Sequence, residues 1–132
     1  MIKSGELVVV VENVEQALRF YTDRLAFDLI DLDLKFSEYG KPCVTLARLK
    51  KGKCFITFKS PGVEDLTEFS FIKRCSGRSL ALMIEIRSGI DKYFSRCLKR
   101  EVKVVGELLQ DGGIVSFVVR DPFGLKLTFF GY

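Results

Sequence analysis

The chain repeats itself, and this constrains the fold more than any other feature. Val8 to Val11 form a β-branched run that reads as a strand. Asn13 follows as a helix cap, with Gln16 three residues later as in a capping box. Val14, Ala17, Leu18, Tyr21 and Leu25 then fall at steps of three and four, the spacing of an amphipathic helix. The second half has the same order. Leu80 to Ile86 is an apolar strand interrupted by Glu85, and Ser88 is a cap with Asp91 three residues on. Ile90, Tyr93, Phe94, Cys97 and Leu98 follow at helical spacing. The two expected caps stand 75 residues apart.

Each helix leads into three further strands. In the first half Ile30, Leu32, Leu34 and Phe36 alternate with Asp31, Asp33 and Lys35, the period of a half-buried strand with its charges outward. Pro42 to Leu49 is the next strand, Lys50 to Lys53 a hairpin turn, and Cys54 to Lys59 the last strand. In the second half the strands are Val102 to Leu109, Ile114 to Arg120 and Leu125 to Phe130. Asp111-Gly112-Gly113 and Asp121-Pro122-Phe123-Gly124 are the turns between them. The expected fold class is α+β, with two tandem β-α-β-β-β modules forming a curved mixed sheet and the helices outside. The modules are expected over residues 1–60 and 79–132. Residues 61–78 are expected to be a packed connector, since Leu66, Phe69, Phe71 and Ile72 accompany Gly62 and Gly77. Two such modules side by side offer a concave ligand surface.

Composition narrows the function. Hydrophobic residues make up 48% and charged residues 29% of the 132, a globular balance. No apolar run approaches the roughly 18 residues of a membrane span. Met1 to Gly5 runs straight into the first strand, so no secretory leader is expected, and the location is expected to be cytoplasmic. The four cysteines, Cys43, Cys54, Cys75 and Cys97, contain no Cys-x-x-Cys pair and are expected as free thiols. With no His anywhere, a cysteine nucleophile lacks its usual base. The net charge of +4 is gathered partly in Lys50-Lys51-Gly52-Lys53 and Lys99-Arg100, which read as solvated turn and helix end. No continuous basic face with interleaved aromatics is present, so nucleic acid is not an expected partner.

The module order, with two local motifs, resembles the vicinal oxygen chelate superfamily of glyoxalase I, ring-cleaving dioxygenases and bleomycin-resistance proteins. Val11-Glu12-Asn13-Val14-Glu15-Gln16-Ala17-Leu18-Arg19-Phe20-Tyr21 is similar to its strand, cap and helix ending in Phe-Tyr, and Leu25-Ala26-Phe27 to its Leu-Gly-Phe. Arg120-Asp121-Pro122-Phe123-Gly124 resembles its Asp-Pro-x-Gly hairpin. Metal-using members carry His or Glu at four equivalent points. Carried over, these are Glu6, Thr57, Ala81 and Thr128, of which Glu6 is the one ready ligand for a divalent ion. Glu85 shares a strand face with Ala81, and Glu6 with Glu85 is still an incomplete set.

The resemblance therefore implies a metal-independent small-molecule-binding protein, with no cofactor and no assigned catalytic residue, that sequesters a drug or metabolite. By analogy with the family it is expected to be a homodimer. Its basic charge suits an anionic or aromatic ligand. Two alternatives stand beside it. One is a metal-dependent lyase or dioxygenase with atypical ligands, Glu6 and Glu85 plus water. The other is a protein-interaction or regulatory domain with a filled, Phe-packed interior. The candidate cavity residues are Glu6, Arg48, Thr57, Met83, Glu85 and Thr128. Arg48, in an otherwise apolar strand, reads either as a fork for a ligand carboxylate or phosphate or as a salt-bridge partner for a neighbouring strand. The threonines read as hydroxyl donors or as ordinary strand formers, and Met83 as cavity wall or core. Some of Phe55, Phe117 and Phe130 are candidates to line the cavity, and the Tyr39 ring to close over it.

Overall fold

In the computed structural model, residues 6–36, 39–61 and 81–132 are described. Leu80 and the expected connector, apart from Pro61, lie outside them. The chain divides into two compact units, Met1–Arg74 and Cys75–Tyr132. The first contains β1 (Glu6–Val10), α1 (Val14–Arg19) with a π-helical turn at Phe20–Arg24, β2 (Asp28–Phe36), β3 (Pro42–Lys51) and β4 (Cys54–Lys59). The second contains β5 (Ala81–Glu85), α2 (Ile90–Lys99), β6 (Val104–Asp111), β7 (Ile114–Arg120) and β8 (Lys126–Gly131). The expected β-α-β-β-β order is present in both, and the class is α+β.

Hydrogen bonding divides the strands into two four-stranded sheets, β1-β4-β3-β2 and β5-β8-β7-β6. In each, the first strand runs parallel to the last and the other pairs are antiparallel. The parallel pairing follows from the helix, which carries the chain across the sheet before the three-strand meander begins.

In the first unit Asn13 caps α1 as expected, its Oδ1 accepting from the Gln16 N–H at 2.9 Å. The helix buries Val14 and Ala17, and the π-helical turn after it buries Tyr21. Tyr21 is fully enclosed, edge-on to Phe20 and Phe27 and tilted against Phe58. Aromatic pairs of this kind contribute about 0.5–1.5 kcal/mol beyond their buried area. Ala47, Leu49 and Ile56 complete this core.

In the second unit Tyr93 packs against Phe117 and Phe129, and Phe94 sits edge-on to Phe117. Burial pushes the Tyr93 phenol well above its ordinary range, so it stays neutral. Phe117 is therefore helix-side core and not a cavity wall.

Two local expectations are corrected. Ser88 does not cap α2. The helix begins one residue later from Gly89, which adopts φ 75° with no side-chain cap bond. A left-handed residue there redirects the chain, and glycine takes that conformation without a Cβ penalty. Strand β2 is not half-buried: all nine of its residues are exposed. It ends the hydrogen-bonded order, and α1 lies mainly over β3 and β4.

Gly131 gives a test of the packing of β8. A Cβ there would stand 2.7 Å from the Ile86 carbonyl oxygen and 3.2 Å from Ile90 Cβ. Since a backbone oxygen cannot swing aside, Gly131→Ala is expected to destabilise the fold by about 1–3 kcal/mol in a urea melt.

Candidate functional site

Each sheet has a helix side and a side turned away from its helix. In the first unit Ile56 and Phe58 are fully buried on the helix side, so Phe55, Thr57 and Lys59 project to the other. Thr57 pairs with Val8 on one flank and Arg48 on the other. Phe55 pairs with Glu6 and Lys50. The Arg48 guanidinium lies over the Phe55 ring at 4.4 Å, and the Lys50 ammonium stands 5.4 Å from the same ring. A cation over an aromatic face is attracted by its quadrupole, and stacking holds the guanidinium fork in one plane.

Thr57 is 8% exposed although it lies on the side without the helix. Its hydroxyl makes no hydrogen bond with any described residue. The hydroxyl of this nearly buried residue, in register with an arginine whose guanidinium lies over an aromatic ring, makes a donor pair suited to an anionic oxygen. Asp31 stands opposite Arg48 on β2, and Asp33 opposite Leu46, so acidic groups border the same side.

In the second unit Ile84, Leu127 and Phe129 are buried on the helix side. Met83 and Thr128 pair with each other on the opposite side, flanked by Ala81 opposite Lys126 and Glu85 opposite Phe130. Val118 is the other neighbour of Thr128. Met83 is 66% exposed, which makes it surface and not core. Glu85 is exposed too.

The sequence-selected residues thus fall on one side of each sheet. Arg48 and Thr57 share a side in the first unit, and Met83, Glu85 and Thr128 in the second. The pairing is symmetric between the units: Val8 with Thr57 corresponds to Met83 with Thr128. Glu6 pairs with Phe55 and not with Thr57.

Several side chains take no part in this surface. Cys54 is held protonated, its thiol pushed up by burial, and Cys97 is core. Tyr39 is 88% exposed in a turn. A shallow depression on the outer face of α2 is lined by Asp91, Lys92, Ser95, Arg96 and Lys99 and includes none of the expected site residues.

What sequence reasoning missed is the Arg48–Phe55 stack. The signal for it was the hairpin. With Gly52 and Lys53 as a two-residue turn, counting outward pairs Lys51 with Cys54 and Arg48 with Thr57. The Gly52 φ of 60° suits the primed turns that such a loop requires.

Fold and site now meet known proteins. The model of the Glyoxalase/Bleomycin resistance protein/Dioxygenase superfamily matches residues 3–129, and the chain belongs to that superfamily. No curated protein matches the sequence. Among solved structures, TioX from Micromonospora sp. ML1 is similar with a TM-score of 0.70 at 16% identity, covering 100% of this chain and 96% of that one. Virulence protein STM3117 from Salmonella typhimurium has a TM-score of 0.67 at 19% identity, covering 100% and 98%. A glyoxalase/bleomycin resistance protein from Streptomyces sp. CB03234 has 0.62 at 18%, covering 96% and 98%. At these identities the likeness carries the fold alone.

Metal-using members of the superfamily would hold their ion at positions corresponding to Glu6, Thr57, Ala81 and Thr128. The described residues do not fit one. No group of three Asp, Glu, Cys or His among them could hold an ion. Thr57 adjoins Val8 and the cationic Arg48, and Thr128 adjoins Met83 and Val118. A fixed positive charge next to a ligand position disfavours a divalent cation there.

Proposed function

We propose that this protein binds a small anionic, aromatic molecule without a metal and sequesters it. The observation that carries the reading is Thr57, a nearly buried residue on the side away from α1, in register with an arginine whose guanidinium lies over Phe55. Arg48 takes the carboxylate or phosphate of the ligand in its fork, and Thr57 donates a third hydrogen bond. The Phe55 ring gives a planar ligand an apolar neighbour. In the second unit Met83, Glu85 and Thr128 form a corresponding surface of that unit's own sheet, with an adaptable thioether, a carboxylate and a hydroxyl. Glu6, at the head of β1, is the remaining polar residue of the set. Cys43, Cys54 and Cys97 are in no disulfide among the described residues, which fits a reducing compartment, and a cytoplasmic location is part of the reading. A homodimer completes the reading.

The test has two arms. Calorimetric titration with Ni, Zn, Fe and Mn is expected to show no tight stoichiometric uptake, and tight binding of one ion per chain would overturn metal independence. Benzoate and salicylate are expected to raise the melting midpoint of the wild-type chain and to leave Arg48→Ala unmoved. At a hundredfold excess over the dissociation constant the gain is about 2.7 kcal/mol. An equal rise in both proteins would remove Arg48 from the site.

A further inference from the structure

We infer that the outer edge of β2 is a self-complementary surface on which a second copy of this chain pairs antiparallel about Leu34. The inference rests on the homodimer of the preceding reading and assigns its interface. It is independent of the ligand.

The motivating observation is a long strand of exposed apolar residues whose outer edge pairs with no described strand. Leu32, Leu34 and Phe36 are 36%, 48% and 71% exposed. By the alternation of β2 they share one side of the strand; the register with β3 shifts between Asp33 and Leu34, so Leu32 pairs with the buried Ala47 and Leu34 with Val44. The charges Asp31, Asp33 and Lys35 share the other. The stripe is patterned as a core face, yet α1 lies mainly over β3 and β4. An edge strand of this length is a template for another strand.

Backbone directions agree. The Thr45 hydroxyl donates to the Asp33 carbonyl at 3.4 Å, so Asp33 turns its backbone groups toward β3. The register shift between Asp33 and Leu34 puts the extra residue, Thr45, on β3, so β2 keeps its alternation and the backbone groups of Leu32, Leu34 and Phe36 turn outward. The Leu32 N–H accordingly finds its acceptor in the neighbouring Asp31 side chain, at 2.9 Å.

Charge then selects one register. In a two-fold antiparallel pair centred on Leu34, Leu34 meets Leu34, Leu32 meets Phe36, and Asp33 meets Lys35 twice. Centring on Asp33 sets Asp33 against itself, centring on Lys35 sets Lys35 against itself, and centring on Leu32 sets Asp31 against Asp33. Only the Leu34 register of these four pairs every charge it contains with its opposite. In it the outward backbone groups of Leu34 and Phe36 gain partners, and the Leu32 N–H exchanges the Asp31 side chain for an acceptor on the second copy. The Asp33–Lys35 pairs fall at the non-hydrogen-bonded positions, where side chains approach most closely. The apolar stripes of the two copies meet on the same side and cover one another.

Sedimentation equilibrium over a concentration series tests this on the full chain, with circular dichroism confirming that each variant folds. Wild type is expected to be a dimer that dissociates on dilution. Asp33→Lys and Lys35→Asp, each placing like charges opposite, are expected to weaken association about tenfold or more. The double variant D33K/K35D restores opposite charges in this register alone and is expected to recover the dimer. A wild-type chain that stays monomeric ends both this proposal and the homodimer reading. Single variants that remain dimeric place the interface elsewhere and end this proposal while leaving the dimer. Loss in the single variants without recovery in the double one also overturns the register.

Discussion

Phe58→Ala and Phe129→Ala are each expected to lower the unfolding free energy by about 3–5 kcal/mol, read from the urea midpoint at constant slope. Both rings are fully buried on the helix side of their sheets. Phe58 leans on Tyr21, and Phe129 on Tyr93 and Phe117, so truncation removes transfer energy and opens a cavity among rigid rings. A domain is stable by about 5–15 kcal/mol, so the loss is a large share of the total. The adjacent residues give the contrast. Thr57→Val and Thr128→Val stand on the other side of the same strands, one position away. Each is expected to change stability by less than about 0.5 kcal/mol, because neither hydroxyl makes a hydrogen bond with a described residue. Thr57→Val is nevertheless expected to weaken benzoate binding. Comparable losses at all four positions would show that the strand faces are wrongly assigned.

That contrast depends on a register the sequence carried only in part. The helices and strands were legible because their signals are local. Asn13 caps by a contact three residues away, and Asp-Gly-Gly closes a tight turn wherever it stands. The pairing of β3 with β4 was legible in principle, since a two-residue turn pins the whole ladder. Parallel pairing of β1 with β4 was not, because residues some fifty positions apart leave no local mark.

The two corrections have one cause. Ser88 and β2 each match a local pattern that the surroundings decline to use. Ser88 has the chemistry of a cap, but the left-handed turn at Gly89 moves the helix start past it. Strand β2 has the period of a half-buried strand, and burial depends on what lies over the sheet, which periodicity does not state. For the site, residue types indicated which metal donors were missing. They did not indicate that Arg48 would lie over Phe55, because that contact is diagonal across a hairpin.

Asp121→Ala is the second large effect expected. The carboxylate is 6% exposed, and its Oδ1 accepts from the Phe123 N–H at 2.9 Å and the Leu125 N–H at 2.7 Å. The backbone closes the same loop, with the Asp121 N–H donating to the Leu125 carbonyl and the Gly124 N–H to that of Asp121. Pro122 fixes its own φ in the turn, and Gly124, at φ 88°, takes a conformation that side chains resist. This accounts physically for the Asp-Pro-x-Gly pattern: each residue type closes one part of the connection between β7 and β8. Alanine would leave two donors without their acceptor, at about 1–3 kcal/mol for each buried group. The expected loss is thus about 2–6 kcal/mol. Asn retains an oxygen in the place of Oδ1 and loses only the charge, so Asp121→Asn is expected to cost distinctly less. The order Ala above Asn in a urea series is the decisive reading, because equal losses would mean that the negative charge, and not the paired acceptor, holds the turn.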